Sequence, residues 1–257
     1  MYIGKLIMKS NYATLESQLG NNICTVKDTE EIFRLRMSDD YQSKVKAGDF
    51  LVKQYRFKDA ITEYRNALEI KKDDFMLYIK LGGAYLTLFK SEEAEKYYSK
   101  ALKYGAKEEN IAFYFGVMNF LKANYSEAIS YFEKVNANNG EMLISVIYWH
   151  TIASFKNDSQ PSFLEKFNDS IDVGHHNAYK TAVSLFAEKI EYYNIIIPEN
   201  SLDAVIIQYG ICEYLKHKKQ IREIERYAEQ LFEHTDVWPS IAYLAAYNDW
   251  RNNLSIK

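Results

Sequence analysis

The chain has 257 residues, of which 47% are hydrophobic and 26% charged, and its formal net charge is −3 at pH 7. This balance is typical of a folded protein, and the small net charge excludes a general attraction to nucleic acid or anionic membranes. Two cysteines, Cys24 and Cys212, exclude a disulfide scaffold. No apolar stretch reaches the roughly 18 residues of a membrane-spanning helix, and the opening residues lack a secretory apolar core. We therefore expect a cytoplasmic protein without membrane insertion.

Residues 1–40 are expected to form an N-terminal helical extension that caps the helices following it. The pair Asp28 and Glu31 is typical of a capping box, in which the Asp carboxylate accepts a backbone amide of the first helical turn. This predicts a short helix through Ile32 and Met37.

A 34-residue spacing organises residues 41–142. At this step the chain repeats a glycine, then a small residue, an aromatic residue and a second small residue. The positions are Gly48, Gly82 and Gly116; Ala60, Ala94 and Ala128; Tyr64, Tyr98 and Phe132; Ala67, Ala101 and Val135. A fixed period of this length is typical of stacked repeat proteins. It predicts three repeats, 41–74, 75–108 and 109–142, each with a helix A followed by a helix B.

The repeat glycines lie within predicted helices, where glycine costs about 1 kcal/mol of helix propensity. We expect the missing side chain to let the neighbouring helix approach closely. Helix B is expected to begin with a carboxylate near the positive end of its dipole, at Asp59, Glu93 and Glu127. Ser91 is a further candidate N-cap.

This pattern resembles the tetratricopeptide repeat, a helix–turn–helix unit. Repeat two is close to the family's aromatic–Leu–Gly–aromatic signature, at Tyr78, Leu81, Gly82 and Tyr85. The resemblance implies an all-α fold, a right-handed α-solenoid or superhelix of stacked helical pairs. It also implies a protein- or peptide-binding role without catalysis. The family often places glycine in the turn between the helices, where this chain has Tyr55, Phe89 and Ala123.

After residue 142 the signature disappears, but apolar residues keep a helical spacing. We expect degenerate helical pairs and a C-terminal capping helix over residues 143–257. The predicted apolar stripes run through 144–152, 163–171, 179–193, 202–212, 221–232 and 238–250. Pro198 should interrupt the helices, and Asn200 or Ser201 should begin the next one.

The resemblance also implies where a partner binds, because in that family helix A builds the concave wall. The corresponding residues here are Val45, Asp49, Val52, Met76, Ile79, Gly83, Leu86, Asn110, Phe113, Val117, Phe120 and Leu121. Most are apolar in repeats two and three, so we expect an extended or helical peptide with apolar side chains. The alternative is that residues 1–40 or the C-terminal helices occupy this wall, which would make it ordinary core.

One subtype of the family is excluded by its residues. Co-chaperones that bind heat-shock proteins hold a C-terminal carboxylate with lysine, asparagine and arginine side chains. The corresponding places here hold Val45, Asp49, Lys80, Asn110 and Tyr114, so most of the required donors are absent.

The sequence shows no motif for catalysis, a metal or a cofactor. Glu213 and His217 lie one helical turn apart, but no third ligand accompanies them. Cys212 lies on an apolar stripe and is expected to be a buried packing residue. The basic residues between Lys216 and Arg226 alternate with glutamates, which indicates a solvated face rather than a nucleic-acid site.

We therefore predict a non-enzymatic adaptor or chaperone that binds a protein or peptide. Over residues 1–142 the chain is similar to the three-repeat chaperones of type III secretion translocators. Two alternatives remain open: a structural subunit of a larger complex such as a secretion or pilus apparatus, and a peptide-sensing regulator. The oligomeric state and the partner's identity are not predicted.

Overall fold

The computed structural model describes residues 28–255, with side chains described through Arg251. The predicted extension thus lies outside the described residues up to position 27, as does Cys24. All regular structure in the described part is helical, and helices adjacent in sequence pack together, as in a helical repeat solenoid. The predicted all-α fold is confirmed. The helices are α1 (Glu30–Met37), α2 (Tyr41–Lys53), α3 (Phe57–Ile70), α4 (Phe75–Thr87), α5 (Ser91–Lys103), α6 (Glu108–Leu121), α7 (Tyr125–Glu133), α8 (Gly140–Lys156), α9 (Asn177–Phe186), α10 (Ser201–His217), α11 (Ile224–Glu233) and α12 (Ile241–Ser255).

The described residues divide into two compact units, 28–118 and 119–255, and the boundary between Met118 and Asn119 falls within α6. Each unit has its own buried apolar side chains. No helix in the described part is long and apolar enough to cross a bilayer.

Close packing in the first unit depends on two of the repeat glycines. A Cβ atom added to Gly48 would lie 2.2 Å from Cε1 of Tyr64, and one added to Gly82 would lie 2.2 Å from Cε1 of Tyr98. Both tyrosines are buried. The expectation that these glycines let helix B approach helix A is confirmed.

The starts of the helices agree with the sequence in part. Asp59, Glu93 and Glu127 lie in the first turns of α3, α5 and α7, as predicted. Ser91 does not cap α5, because the helix already begins there and the capping position is Lys90.

The predicted capping box of α1 is wrong by one residue. Thr29 is the N-cap, and its hydroxyl accepts the backbone N–H of Ile32 at 3.2 Å. The Asp28 carboxylate instead accepts hydrogen bonds from Arg36, at 2.9 Å, and from Arg56. Burial alone would raise the pKa of Asp28, but the two guanidinium groups lower it. Asp28 therefore joins α1 to the turn before α3.

Within residues 28–255, six turns between helices contain a residue other than glycine in the left-handed conformation. These residues, with φ between 49° and 61°, are Tyr55, Phe89, Ala123, Asp158, Glu188 and Lys219. In each turn the next backbone N–H returns to a carbonyl five residues earlier, as Arg56 does to Leu51 at 2.8 Å and Gln220 to Leu215 at 2.8 Å. The six positions follow one another at 34, 34, 35, 30 and 31 residues. The helix–turn–helix period thus continues beyond the recognisable signature.

The second unit departs from several predicted stripes. The predicted helix over 163–171 is a short 3-10 segment, Ser162–Lys166, which ends at the extended Phe167. The side chain of Asn168 then turns the chain by accepting the backbone N–H of Ser170 at 3.1 Å. The stripe over 179–193 ends at Phe186, before the left-handed Glu188.

Four residues of the apolar stripes predicted in the second unit are exposed: Ile190, Tyr193, Leu202 and Ile221. Leu202 is 44% exposed and Ile221 is 73% exposed, since each lies at an element's first turn rather than in its packed middle. By contrast, Asn200 caps α10 as predicted, with its side-chain oxygen accepting the backbone N–H of Leu202 at 2.9 Å. Cys212 is buried, as predicted, and burial raises the pKa of its thiol to about 12.

A buried ionic cluster joins three helices of the second unit. Lys156 of α8 lies 3.0 Å from Glu213 of α10 and 2.8 Å from Asp249 of α12. Lys216 lies 2.6 Å from the other oxygen of Glu213, and the Tyr209 hydroxyl donates to Asp249 at 3.1 Å. Burial alone would raise the pKa of Glu213, but the two ammonium groups lower it to about 2. The Glu213 charge is therefore well compensated.

Candidate functional site: a protein-binding surface

The predicted binding residues of the first unit differ in exposure. Ile79, Leu86 and Val117 are buried. The remainder are exposed or half-buried, and together with Lys80 we call them the helix A surface: Val45, Asp49, Val52, Met76, Lys80, Gly83, Asn110 and Phe113. A ligand could contact only this second group directly.

The last two predicted residues, Phe120 and Leu121, belong to the second unit and are buried there. The ring of Phe120 meets that of Trp149 edge-on at 5.2 Å between centroids and that of Tyr125 at 5.5 Å. The carbonyl of Leu121 accepts a hydrogen bond from the Asn248 amide at 2.7 Å. Both are packing residues of the second unit and are not part of the helix A surface.

Residues of α2 and α4 share one spacing along this surface. Val45, Asp49 and Val52 are separated by four and three residues, and so are Met76, Lys80 and Gly83. Residues at this spacing lie along one face of a helix. The ion pair between Asp49 and Lys80 joins the face on α2 to the face on α4.

A hydrogen-bonded group forms the centre of the helix A surface. The Lys80 ammonium lies 2.6 and 2.7 Å from the two oxygens of Asp49. The Tyr64 hydroxyl donates to Asp49 at 2.7 Å, and Lys80 lies over the Tyr64 ring at 6.0 Å. Burial and the Asp49 carboxylate raise the pKa of Tyr64, so this hydroxyl stays protonated. The centre is therefore electrically neutral although both charged side chains reach solvent.

The same place in the second repeat is open. Gly83 lies 34 residues after Asp49, and a Cβ atom added to it would meet no atom of residues 28–251 within 4 Å. Tyr98 lies 34 residues after Tyr64, and its buried hydroxyl has no hydrogen-bond partner within the described part of the chain. The second repeat therefore has a bare backbone position where the first has a charged side chain.

The edge of the surface on α6 is aromatic. Phe113 meets Tyr114 at a right angle, with ring centroids 6.3 Å apart, and Tyr114 contacts Tyr98 at 5.8 Å. Sequence reasoning did not include Tyr64 or Tyr98 in the site. Both tyrosines lie in helix B, 15 positions after Asp49 and Gly83 of helix A. This spacing could have predicted that they contribute to the site.

Residues 77–104 match the family model of the tetratricopeptide repeat. This segment contains most of α4 and all of α5, including the Gly82–Tyr98 contact and the open position at Gly83. The predicted resemblance to the tetratricopeptide repeat is confirmed, and it indicates a protein–protein interaction module. No curated protein matches the chain in sequence.

The geometry of Lys80 bears on carboxylate binding. Its ammonium is already neutralised by Asp49 through both carboxylate oxygens. A ligand carboxylate would have to displace Asp49, and the Tyr64 hydroxyl would lose its acceptor. The helix A surface thus suits neutral or apolar ligand groups better than an anionic terminus.

The histidine and glutamate considered as metal ligands do not share a site. Glu213 is engaged by Lys156 and Lys216, whereas the His217 ring stacks on Phe155 at 4.0 Å. Across the part of the chain that the structure describes, no group of three or more histidine, cysteine, aspartate or glutamate side chains could hold a metal ion.

Proposed function

We propose that this chain is a non-enzymatic adaptor or chaperone that binds a peptide segment of a partner protein on the helix A surface. The proposal places it in the cytoplasm and gives it a protein partner rather than nucleic acid. Its main support is the tetratricopeptide match at residues 77–104, which includes the open Gly83 and Lys80, the partner of Asp49 in the neutral pair.

The chemistry of the helix A surface favours an apolar peptide. Val45, Val52 and Met76 provide aliphatic contacts, and Phe113 provides an aromatic one. Burying one apolar side chain of a peptide contributes about 1.5–3 kcal/mol. Three such side chains, after the cost of ordering the peptide, correspond to an affinity of order micromolar.

Gly83→Arg tests this proposal, because the new side chain enters open space and blocks the surface without a clash. Ser99→Arg, at an exposed position of α5, is the matched control with the same added charge. Peptides selected from a displayed random library by the wild-type chain should bind Ser99→Arg normally and lose at least about tenfold in affinity for Gly83→Arg.

Circular dichroism of both variants should show unchanged helicity. Equal peptide affinity of the two variants, measured by fluorescence anisotropy, would place binding elsewhere and reject the helix A surface. Failure to select any peptide would reject peptide binding itself.

Exposed apolar residues of the second unit support a second candidate, a structural subunit of a larger assembly. Tyr193 is 66% exposed and Ile196 is 89% exposed, both on the segment between α9 and α10. Exposed apolar residues close together in a chain are typical of interaction sites. If they mediate assembly, analytical ultracentrifugation should show concentration-dependent association that Ile196→Ser abolishes.

A further inference from the structure

The second unit contains a pocket of about 340 Å³ between α10, α11 and α12. Its walls are mainly apolar, with Leu231 and Phe232 from α11 and Trp250 from α12 among them. The Phe232 and Trp250 rings lie 6.4 Å apart. Pockets of about 300 Å³ and more are large enough for a small organic molecule or a large side chain. This site is separate from the helix A surface.

The ionisable groups around the pocket carry an excess of negative charge. Three carboxylates line it, those of Glu213, Glu225 and Asp249, together with one ammonium, that of Lys216. Lys156 contacts Glu213 and Asp249 from α8. Glu213 and Asp249 share these two ammonium groups, and the third carboxylate, that of the exposed Glu225, contacts neither of them.

The two buried carboxylates are satisfied to different degrees. Each oxygen of Glu213 has its own ammonium, Lys216 at 2.6 Å and Lys156 at 3.0 Å. Among the described side chains, all contacts to Asp249 end on Oδ2: Lys156 at 2.8 Å, the Tyr209 hydroxyl at 3.1 Å and Lys216 at 3.9 Å. Burial raises the pKa of Asp249 despite these cations. Oδ1 of Asp249 thus remains available to accept a further donor.

We propose that this pocket binds an organic ammonium group carried on an apolar body. The ammonium pairs with Oδ1 of Asp249, and the body packs against Phe232 and Trp250. An aromatic ring beside an ammonium adds cation–π attraction. Glu225, at the exposed side of the pocket, adds attraction for the same charge. The ammonium comes either from a small amine or from a lysine side chain of a peptide, and the two share the same recognition chemistry.

Ligand-observed NMR titrations with matched probes test the proposal. Phenethylammonium and 2-phenylethanol share an apolar body and differ in charge, and 3-phenylpropanoate carries the opposite charge. We expect phenethylammonium to bind at least about tenfold more tightly than the alcohol, and the carboxylate to bind most weakly. Acetyl-Phe-Lys-amide and its norleucine counterpart test the peptide source. Tighter binding of the lysine peptide than of phenethylammonium identifies lysine as the ligand group, and the reverse order identifies a small amine.

Three variants make the test specific to the pocket. Asp249→Asn should remove the preference for the amine over the alcohol, while Asp236→Asn, an exposed change outside the pocket, should leave it unchanged. Ala228→Trp fills the pocket from α11 and should abolish binding of both probes. Circular dichroism checks that each variant is folded.

The proposal is overturned if the amine does not bind the wild-type chain or binds no better than the alcohol. It is equally overturned if Asp249→Asn retains the amine preference while folded, or if Ala228→Trp still binds.

Discussion

Residues 28–118 and 119–255 hold their paired helices together with different interactions. In the first unit, Gly48 and Gly82 let tyrosine rings of helix B lie against helix A, and the Asp49–Lys80 ion pair stays partly exposed. In the second unit, Glu213 is buried beneath two lysines and ties α10 to α8. The repeat signature records the contact between a repeat glycine and a tyrosine ring of helix B. Buried ion pairs occur in both units, since Glu63 of α3 is also buried, 2.9 Å from Arg36 and 3.7 Å from Lys44.

The largest expected loss of stability follows from removing the buried charge of Glu213 in the second unit. Glu213→Gln should destabilise the chain by about 3–5 kcal/mol, because it leaves Lys156 buried with its compensation reduced. Asp49→Asn, the matched change in the first unit, should cost under about 1 kcal/mol, because the pair with Lys80 is partly exposed. Urea unfolding followed by circular dichroism measures both. Equal losses would contradict the contrast between the buried Glu213 pair and the partly exposed Asp49–Lys80 pair.

Low pH should destabilise the folded chain mainly by protonating Glu213. The pKa of Glu213 falls from an ordinary 4.5 to about 2 in the folded chain. Its stabilising contribution is therefore fully present above pH 4.5 and is lost as the pH falls towards 2. In calorimetric melts between these pH values, the wild-type midpoint should fall more steeply than that of Glu213→Gln. Parallel slopes would show that another carboxylate dominates.

Two glycine-to-alanine substitutions in α4 should have opposite effects on stability, one through close packing and the other through helix propensity. Gly82→Ala forces a Cβ against the Tyr98 ring and should destabilise by about 1–3 kcal/mol. Its neighbour Gly83→Ala meets open space and should stabilise by about 0.5–1 kcal/mol through helix propensity alone. Differential scanning calorimetry should show melting temperatures shifted in opposite directions. Two shifts of the same sign would reject the close approach at Gly82.

The hydroxyl groups of Tyr64 and Tyr98 should contribute differently to the free energy of unfolding. Tyr64→Phe removes a hydrogen bond to Asp49 and should cost about 0.5–1.5 kcal/mol. Tyr98→Phe removes a buried hydroxyl that has no partner, so it should be neutral or stabilising. Gly83→Asn provides the control, since it would place an acceptor where Asp49 stands in the first repeat. In that background, Tyr98→Phe should become destabilising in a double-mutant cycle.

The smallest expected effect concerns the turns. Phe89→Gly relieves a left-handed residue with φ of 55° and should stabilise by about 0.5–1 kcal/mol. Phe75→Gly is the control. It places glycine in the first turn of α4, where the backbone is helical, and should therefore destabilise the chain. Thermal melts of the two variants test the pair, and destabilisation by Phe89→Gly would show that its side chain contributes more by packing than the turn costs.

Much of the fold follows from local signals in the sequence. The 34-residue period predicted the glycine contacts, and Asn200 marked the start of α10 because a cap depends only on its neighbours. The ionic cluster could not be predicted this way, since Lys156 and Asp249 lie 93 positions apart. The 3-10 segment after Pro161 was missed because the apolar spacing there also fits a helix. Within the site, the resemblance to the tetratricopeptide repeat gave the place of Gly83, whereas the open space beside it and the burial of Ile79 and Phe120 depended on tertiary packing.

The six left-handed turns also keep the molecule less stable than the same fold with glycine at those positions. None of these turn residues is glycine, so each turn keeps a small backbone cost that one substitution can remove. Gains at well-separated turns should add, because their contacts are independent. A chain relieved at several turns could then tolerate costly substitutions in its binding surfaces, which would let those surfaces be redesigned for new ligands without loss of the fold.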